Sequence, residues 1–168
     1  MALPMKSAKS LADIDWDTWE AKDPATLVFV VKNGQMLLIR KKRGLGAGKI
    51  NAPGGRLEPG ETPLEAAIRE AQEELCITPL NLSYAGENSF QFVDGYSIHV
   101  HVYKADDYDG EPTETDEASP NWSPVDAIPY EEMWEDDKLW IPLVLDGVHF
   151  YGRYLFDDDV MLDYALDY

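Results

Sequence analysis

The chain has 168 residues, enough for one domain with a full core, and 45% of them are hydrophobic, which excludes a chain disordered throughout. Its 14 Lys and Arg stand against 32 Asp and Glu, and a net charge of −18 excludes a nucleic-acid polymer as the expected partner, because no basic surface is available in bulk. The lone cysteine, Cys76, excludes an internal disulfide and a cysteine zinc centre; with no apolar run long enough to span a bilayer and no signal-peptide core in MALPMKSAKS, the expectation is a soluble, cytoplasmic protein with no membrane partner.

Residues 1–24 read as an N-terminal extension to a domain spanning 25–168. Within the extension, 10–21 are expected to form a short helix whose Trp16 and Trp19 cover the edge of the core. Residues 26–31 form a buried strand by composition, Asn33-Gly34 is a tight hairpin turn, and 36–39 return. Lys41-Lys42-Arg43 then leads into a glycine-rich loop, 44–48. Its spacing is neither a P-loop nor a dinucleotide fingerprint, so by itself it reads as solvated charge.

A short strand at 50–52 enters Pro53-Gly54-Gly55 and the stretch GGRLEPGETPLEAAIREAQEELCI, residues 54–77. Thr62 is the expected N-cap, Pro63 the first helical residue, and Glu65 completes a capping box. Leu64, Ala67, Ile68, Ala71 and Leu75 recur at helical spacing and predict one buried stripe. Glu70, Glu73 and Glu74 fall at i, i+3 and i+4, so three like charges converge on one turn. That arrangement opposes stability unless a hard divalent cation sits there.

These residues resemble a Nudix box, with Gly55, Glu61, Arg69-Glu70, Ala71, Glu73-Glu74 and Ile77 in register. Cys76 stands where the pattern has Gly, and Cys adopts the left-handed helix exit less readily. The resemblance implies an α/β fold, an α/β/α sandwich with a mixed sheet. It also implies a Mg²⁺-dependent hydrolase, with Mn²⁺ as a second cation, acting on a small-molecule nucleotide. The implied metal ligands are Glu70, Glu73, Glu74, Glu117 and the Gly54 carbonyl. Glu74 is the first expected base and Glu117 the second, with Arg69 pairing with Glu61 to orient the box.

Beyond the box, residues 80–87 read as a strand, and 89–93 and 96–104 flank a second hairpin turn at Asp94-Gly95. His99 and His101 share a strand face. With no third ligand at suitable spacing, they are expected to be hydrogen-bonded or exposed and not metal-bound. An acidic loop at 106–120 carries Asp116-Glu117, and a strand begins at Trp122. A helical turn at 129–133 is followed by a helix at 138–145 that Asp136 or Asp137 can cap and Pro142 should disturb. Residues 148–156 form the last expected strand.

Several of these segments resemble those of the oxidised-purine nucleoside triphosphate diphosphatases, MutT homologues of vertebrates. They are 41–48, Asn51, Gly54-Gly55, Asp116-Glu117, 126–129, 133–137, 140–142 and 162–164. Position by position, the resemblance implies that Trp134 stacks on a purine, that Asp136 and Asp137 bond its edge, and that Asn51 contacts it from the other side. Lys41 would meet phosphate or sugar, and Phe90 and Phe92 would form the pocket wall. Glu135 stands where that family often has Pro, which should loosen the turn. Another nucleoside diphosphate derivative, such as a dinucleoside polyphosphate, ADP-ribose or a methylated purine nucleotide, is the alternative substrate. Monomer and homodimer both stay open.

Overall fold

The computed structural model describes residues 4–168; residues 1–3 of the expected extension lie outside the described part. Strand β1 (Asp23–Lys32) turns through Asn33 and Gly34, both at positive φ, into β2 (Gln35–Lys41). Short strands β3 (Ile50–Asn51) and β4 (Gly54–Arg56) precede helix α1 (Pro63–Leu75). Then come β5 (Thr78–Leu80), β6 (Ser83–Phe92), β7 (Ser97–Ala105), β8 (Asp107–Asp109) and β9 (Ala118–Pro124). Helix α2 (Asp137–Asp146), β10 (Phe150–Asp157) and β11 (Val160–Asp167) complete the chain. The main sheet runs β11-β10-β6-β7-β1-β2-β3, with β4 paired to β1 and β9 to β2. β1 is parallel to β7 and β10 to β6, while the other pairs are antiparallel, so the sheet is mixed as expected.

Alternation along β1 sorts the core into two layers. Val28 and Val30 face α1, packing with Leu37, Ile39, Ala67, Ala71 and Leu75. Phe29 faces the other way, with Met36, Leu38, Trp140, Ile141 and Val144 beneath α2. The two helices therefore cover opposite faces, which is the α/β/α arrangement. The capping box of α1 is formed on both sides: Glu65 N–H donates to Thr62 Oγ1 at 3.2 Å, and Thr62 N–H donates to Glu65 Oε1 at 3.0 Å. Cys76 does take the left-handed exit, at φ 62 and ψ 30, so the helix ends as a glycine would end it.

Five expectations need correction. Leu64, expected in the buried stripe of α1, is 42% exposed, and in the first turns of the helix it is Ala66 and Ala67 that are buried. Residues 10–21 are not a helix; Met5–Ser7 and Leu11–Asp13 are single 3-10 turns. The Asp13 carboxylate accepts from the N–H groups of Lys9 and Ser10, a local bond that competes with helix propagation. Ile14, Trp16 and Trp19 nonetheless pack with Leu155 on the α1 side of the sheet, covering its edge. Residues 83–92 are one strand, not two, with an irregularity between Tyr84 and Gly86 where a Cβ on Gly86 would lie 2.7 Å from the Phe150 ring. α2 runs from Asp137 to Asp146 straight through Pro142. The missing N–H costs one bond, to the carbonyl of exposed Lys138. Finally, residues 160–167 form an edge strand, with Asp158 at φ 54 making the turn from β10.

Candidate active site

Glu70, Glu73 and Glu117 bring one carboxylate oxygen each to within 4.8 Å of the other two. Glu70 and Glu73 come from α1, and Glu117 from the residue before β9. That loop is stapled to the helix end, because Thr115 Oγ1 donates to the Glu74 carbonyl at 2.8 Å and accepts from Glu117 N–H at 3.2 Å. Glu74 lies deeper and is 3% exposed, its Oε1 accepting from Gly54 N–H at 3.0 Å. Burial first, and then the charge of Glu70, push its carboxyl up to about 9; burial also raises Glu70.

Arg69 organises the outer side of this nest. It donates to both Glu61 oxygens, at 2.7 and 2.9 Å, to Glu70 at 2.8 Å and to Glu73 at 3.2 Å. The bidentate pair holds Glu61 down at about 2. The adjoining glycines are there for space. A Cβ on Gly54 would meet the Thr26 carbonyl, and one on Gly55 would lie 2.6 Å from the Glu70 carboxylate. The donors are carboxylate oxygens, the ligand type of a hard cation. A divalent ion such as Mg²⁺ fits this nest chemically.

A cavity of about 210 Å³ opens over the nest, lined by Lys41, Arg43, Gly55, Glu70, Glu74 and Glu117 among others. It adjoins a larger one of about 370 Å³, and Lys41, Gly54, Gly55, Arg56 and Glu74 line both. Asn51, Phe90, Phe92, Trp134, Asp136 and Asp137 all line the larger cavity. Lys41 stands at the junction with its Nζ donating to the Leu45 carbonyl at 2.8 Å. The loop after it folds back over the pocket, and a Cβ on Gly46 would lie 2.8 Å from Trp134 Nε1. Trp134 is half-buried and meets Phe156 edge-on, with ring centroids 5.5 Å apart; Lys49 Nζ lies 5.4 Å from its ring.

Neither Asp136 nor Asp137 caps α2, although Asp136 occupies the N-cap position. Both carboxylates are buried in the cavity wall. Asp136 Oδ2 accepts from Trp140 Nε1 at 2.7 Å, while Asp136 Oδ1 and Asp137 Oδ2 have no partner among the described residues. Burial pushes Asp136 up to about 6; burial and the neighbouring Asp136 charge push Asp137 well above the carboxylate range. One of the pair thus keeps its proton at neutral pH and can donate while the other accepts. Glu135 does not loosen the turn as expected; its Oε1 accepts from Met161 N–H at 3.1 Å and ties the turn to β11.

Sequence reasoning missed Thr26, Leu27, Tyr96, Ile98, Val100 and Trp140 as cavity wall, and Arg43, whose Nη2 donates to Glu117 at 2.9 Å. The alternation of Ile98 and Val100 was the available signal, since residues two apart on β7 share a face with Phe90 on β6.

A NUDIX domain model matches residues 21–144. The oxidized purine nucleoside triphosphate hydrolase of Danio rerio is 45% identical over 144 residues, 84% of this chain and 92% of that protein. Its namesake from Mus musculus is 41% identical over 143 residues, again 84% and 92% of the two chains. The crystal structure of a MutT protein from Bacillus halodurans matches with a TM-score of 0.78 at 30% identity, covering 86% of this chain and 97% of that one. On the domain match, the relatives and the carboxylate nest of α1, the chain belongs to the Nudix family.

Proposed function

We propose that this Nudix hydrolase cleaves oxidised purine nucleoside triphosphates, of the 8-oxo-dGTP and 2-hydroxy-dATP type, to the monophosphate and pyrophosphate. The reading rests above all on the two unpartnered carboxylate oxygens of Asp136 and Asp137, buried in the wall of a cavity continuous with the Glu70–Glu74 nest. Buried polar atoms without partners are costly, so a ligand that supplies a donor and an acceptor there gains affinity. An 8-oxo purine carries an N–H at position 7 that guanine lacks, and an ionised aspartate accepts it. Ordinary dGTP would leave that oxygen bare. Exchange of the proton between the two aspartates would admit the altered edge of 2-hydroxyadenine. Trp134 gives the base a stacking surface worth ~1–3 kcal/mol but little discrimination.

Glu70, Glu73, Glu74 and Glu117, with the Gly54 carbonyl, would hold Mg²⁺ or, as a second choice, Mn²⁺. When bound, the ion neutralises phosphate oxygens and makes its water more acidic. Glu74 takes a proton from the attacking water, with Glu117 as the second candidate for that step. Lys41 neutralises charge on the polyphosphate where the two cavities meet. Arg69 keeps Glu70 and Glu73 in place without touching substrate. The partner is a free nucleotide, met in the cytoplasm by a monomer or homodimer.

The test is a substrate panel. The protein is incubated with Mg²⁺ and ordinary, oxidised and methylated purine nucleotides, ADP-ribose and a dinucleoside polyphosphate, and pyrophosphate and monophosphate are measured. Preferential turnover of the oxidised triphosphates supports the proposal. Equal or faster turnover of any other member removes it.

A further inference from the structure

We propose that Glu87, His99 and His101 form a binding site for a divalent transition ion of the zinc type, on the sheet face opposite the base cavity. β6 and β7 are antiparallel neighbours in which Glu87 pairs with His101 and Ser89 with His99. Paired residues and residues two apart share a face, so all three side chains converge. His99 Nε2 lies 2.8 Å, and His101 Nδ1 3.5 Å, from the same oxygen, Glu87 Oε1. One ligand atom from each residue falls within 4.8 Å of the other two. Tetrahedral zinc with bonds of ~2.0–2.2 Å sets its ligand atoms roughly 3.3–3.5 Å apart, so side-chain adjustments of about 1 Å or less complete the geometry.

The surroundings are those of a ligand set held in place. Ser89, fully buried, has its Oγ 2.9 Å from His99 Nδ1. An ion would displace to solvent the proton that Nε2 shares with Glu87 Oε1, and Nδ1–H donated to Ser89 would then hold the ring with its Nε2 lone pair toward the ion. Tyr84 Oη donates to Glu87 Oε2 at 2.6 Å, which leaves Oε1 for coordination. The side chains of Glu87, His99 and His101 are 30%, 21% and 23% exposed, enough for an ion and a water to enter. Two imidazoles and one carboxylate favour a borderline ion over Mg²⁺, which prefers oxygen alone. The third ligand escaped the sequence reading because it lies 12 residues before His99, across the hairpin.

The site stands apart from the nucleotide reading. A bound ion would tie β6 to β7 behind the wall that Phe90, Ile98 and Val100 give the base cavity.

The test is a titration of the purified chain with ZnCl₂ by calorimetry, in saturating Mg²⁺ so that the α1 nest is filled. The imidazole ¹⁵N resonances are followed in parallel; with three histidines in the chain, assignment is direct. One zinc should bind per chain, shifting the ring nitrogens of His99 and His101 through coordination while His149 stays uncoordinated. Affinity should fall about a hundredfold in His101→Asn and be unchanged in Glu73→Gln. The midpoint of thermal unfolding should rise by roughly 5–10 °C at a hundredfold excess of zinc over its Kd. One equivalent of zinc that leaves the His99 and His101 nitrogens unmoved in the unaltered chain overturns the proposal. So does zinc binding that persists undiminished in a folded His99→Asn/His101→Asn variant.

Discussion

Replacing Asp136 by Asn isolates the energetics of the buried acid pair. Burial takes the Asp136 carboxyl from an ordinary value of 3.8 to about 6. A folded-state value above the unfolded one means that folding takes up a proton. The stability this group allows is complete at low pH and is lost as pH rises from 3.8 through about 6. The full loss is about 3 kcal/mol, and roughly half of it falls between about pH 5 and about pH 7.5. Asn does not titrate, and its Oδ1 can still accept from Trp140 Nε1. The amide places donors where Asp136 Oδ1 now lacks a partner, a constant penalty of ~1–3 kcal/mol. Because that penalty does not vary with pH, the difference between variant and parent is the quantity to measure. Urea unfolding of both proteins across this pH range should show the variant gaining on the parent by roughly 1 kcal/mol or more. The gain grows if Asp137, relieved of its neighbour's charge, also ionises more easily. A difference that stays flat from about pH 5 to about pH 7.5 would refute the reasoning.

The same Asp136→Asn variant should lose selectivity, its kcat/KM ratio for 8-oxo-dGTP over dGTP falling by about tenfold or more in steady-state assays. Glu74→Gln should lower kcat by about 10²–10⁴-fold while the fold survives, since Gln fills the buried slot without a proton to take up. Gly55→Ala introduces a methyl 2.6 Å from the Glu70 carboxylate, so Mg²⁺ affinity measured by calorimetry should drop about 10–100-fold. Cys76→Gly frees an exposed residue from φ 62 and should raise stability by ~0.5–1 kcal/mol, read as a thermal midpoint about 2 °C higher.

Local chemistry was legible wherever a few adjacent residues decide the outcome. The Asn33-Gly34 and Asp94-Gly95 turns and the Thr62–Glu65 box follow from side chains and backbone freedom within four residues. The 10–21 segment failed because Asp13 satisfies the backbone of Lys9 and Ser10 in a single turn, an alternative that periodicity does not weigh. For Asp136 and Asp137 the residues allowed two uses, a cap or a pocket wall. Only the seating of α2 on Phe29 and Phe150 through Trp140 turns them inward. Glu87 joining His99 and His101, and Ile98 and Val100 joining Phe90, are products of strand register, which no single strand carries in its own sequence.

The acids that would read a base sit at the start of α2, and three of those that would hold an ion, Glu70, Glu73 and Glu74, sit on α1, the helix on the opposite side of the β1 plane. The two meet through the shared floor at Lys41, Gly54, Gly55, Arg56 and Glu74. On the proposed function, letter and engine are separable: replacing side chains around Trp134 would retarget the molecule to a different heterocycle while the bond-breaking end is left as it was.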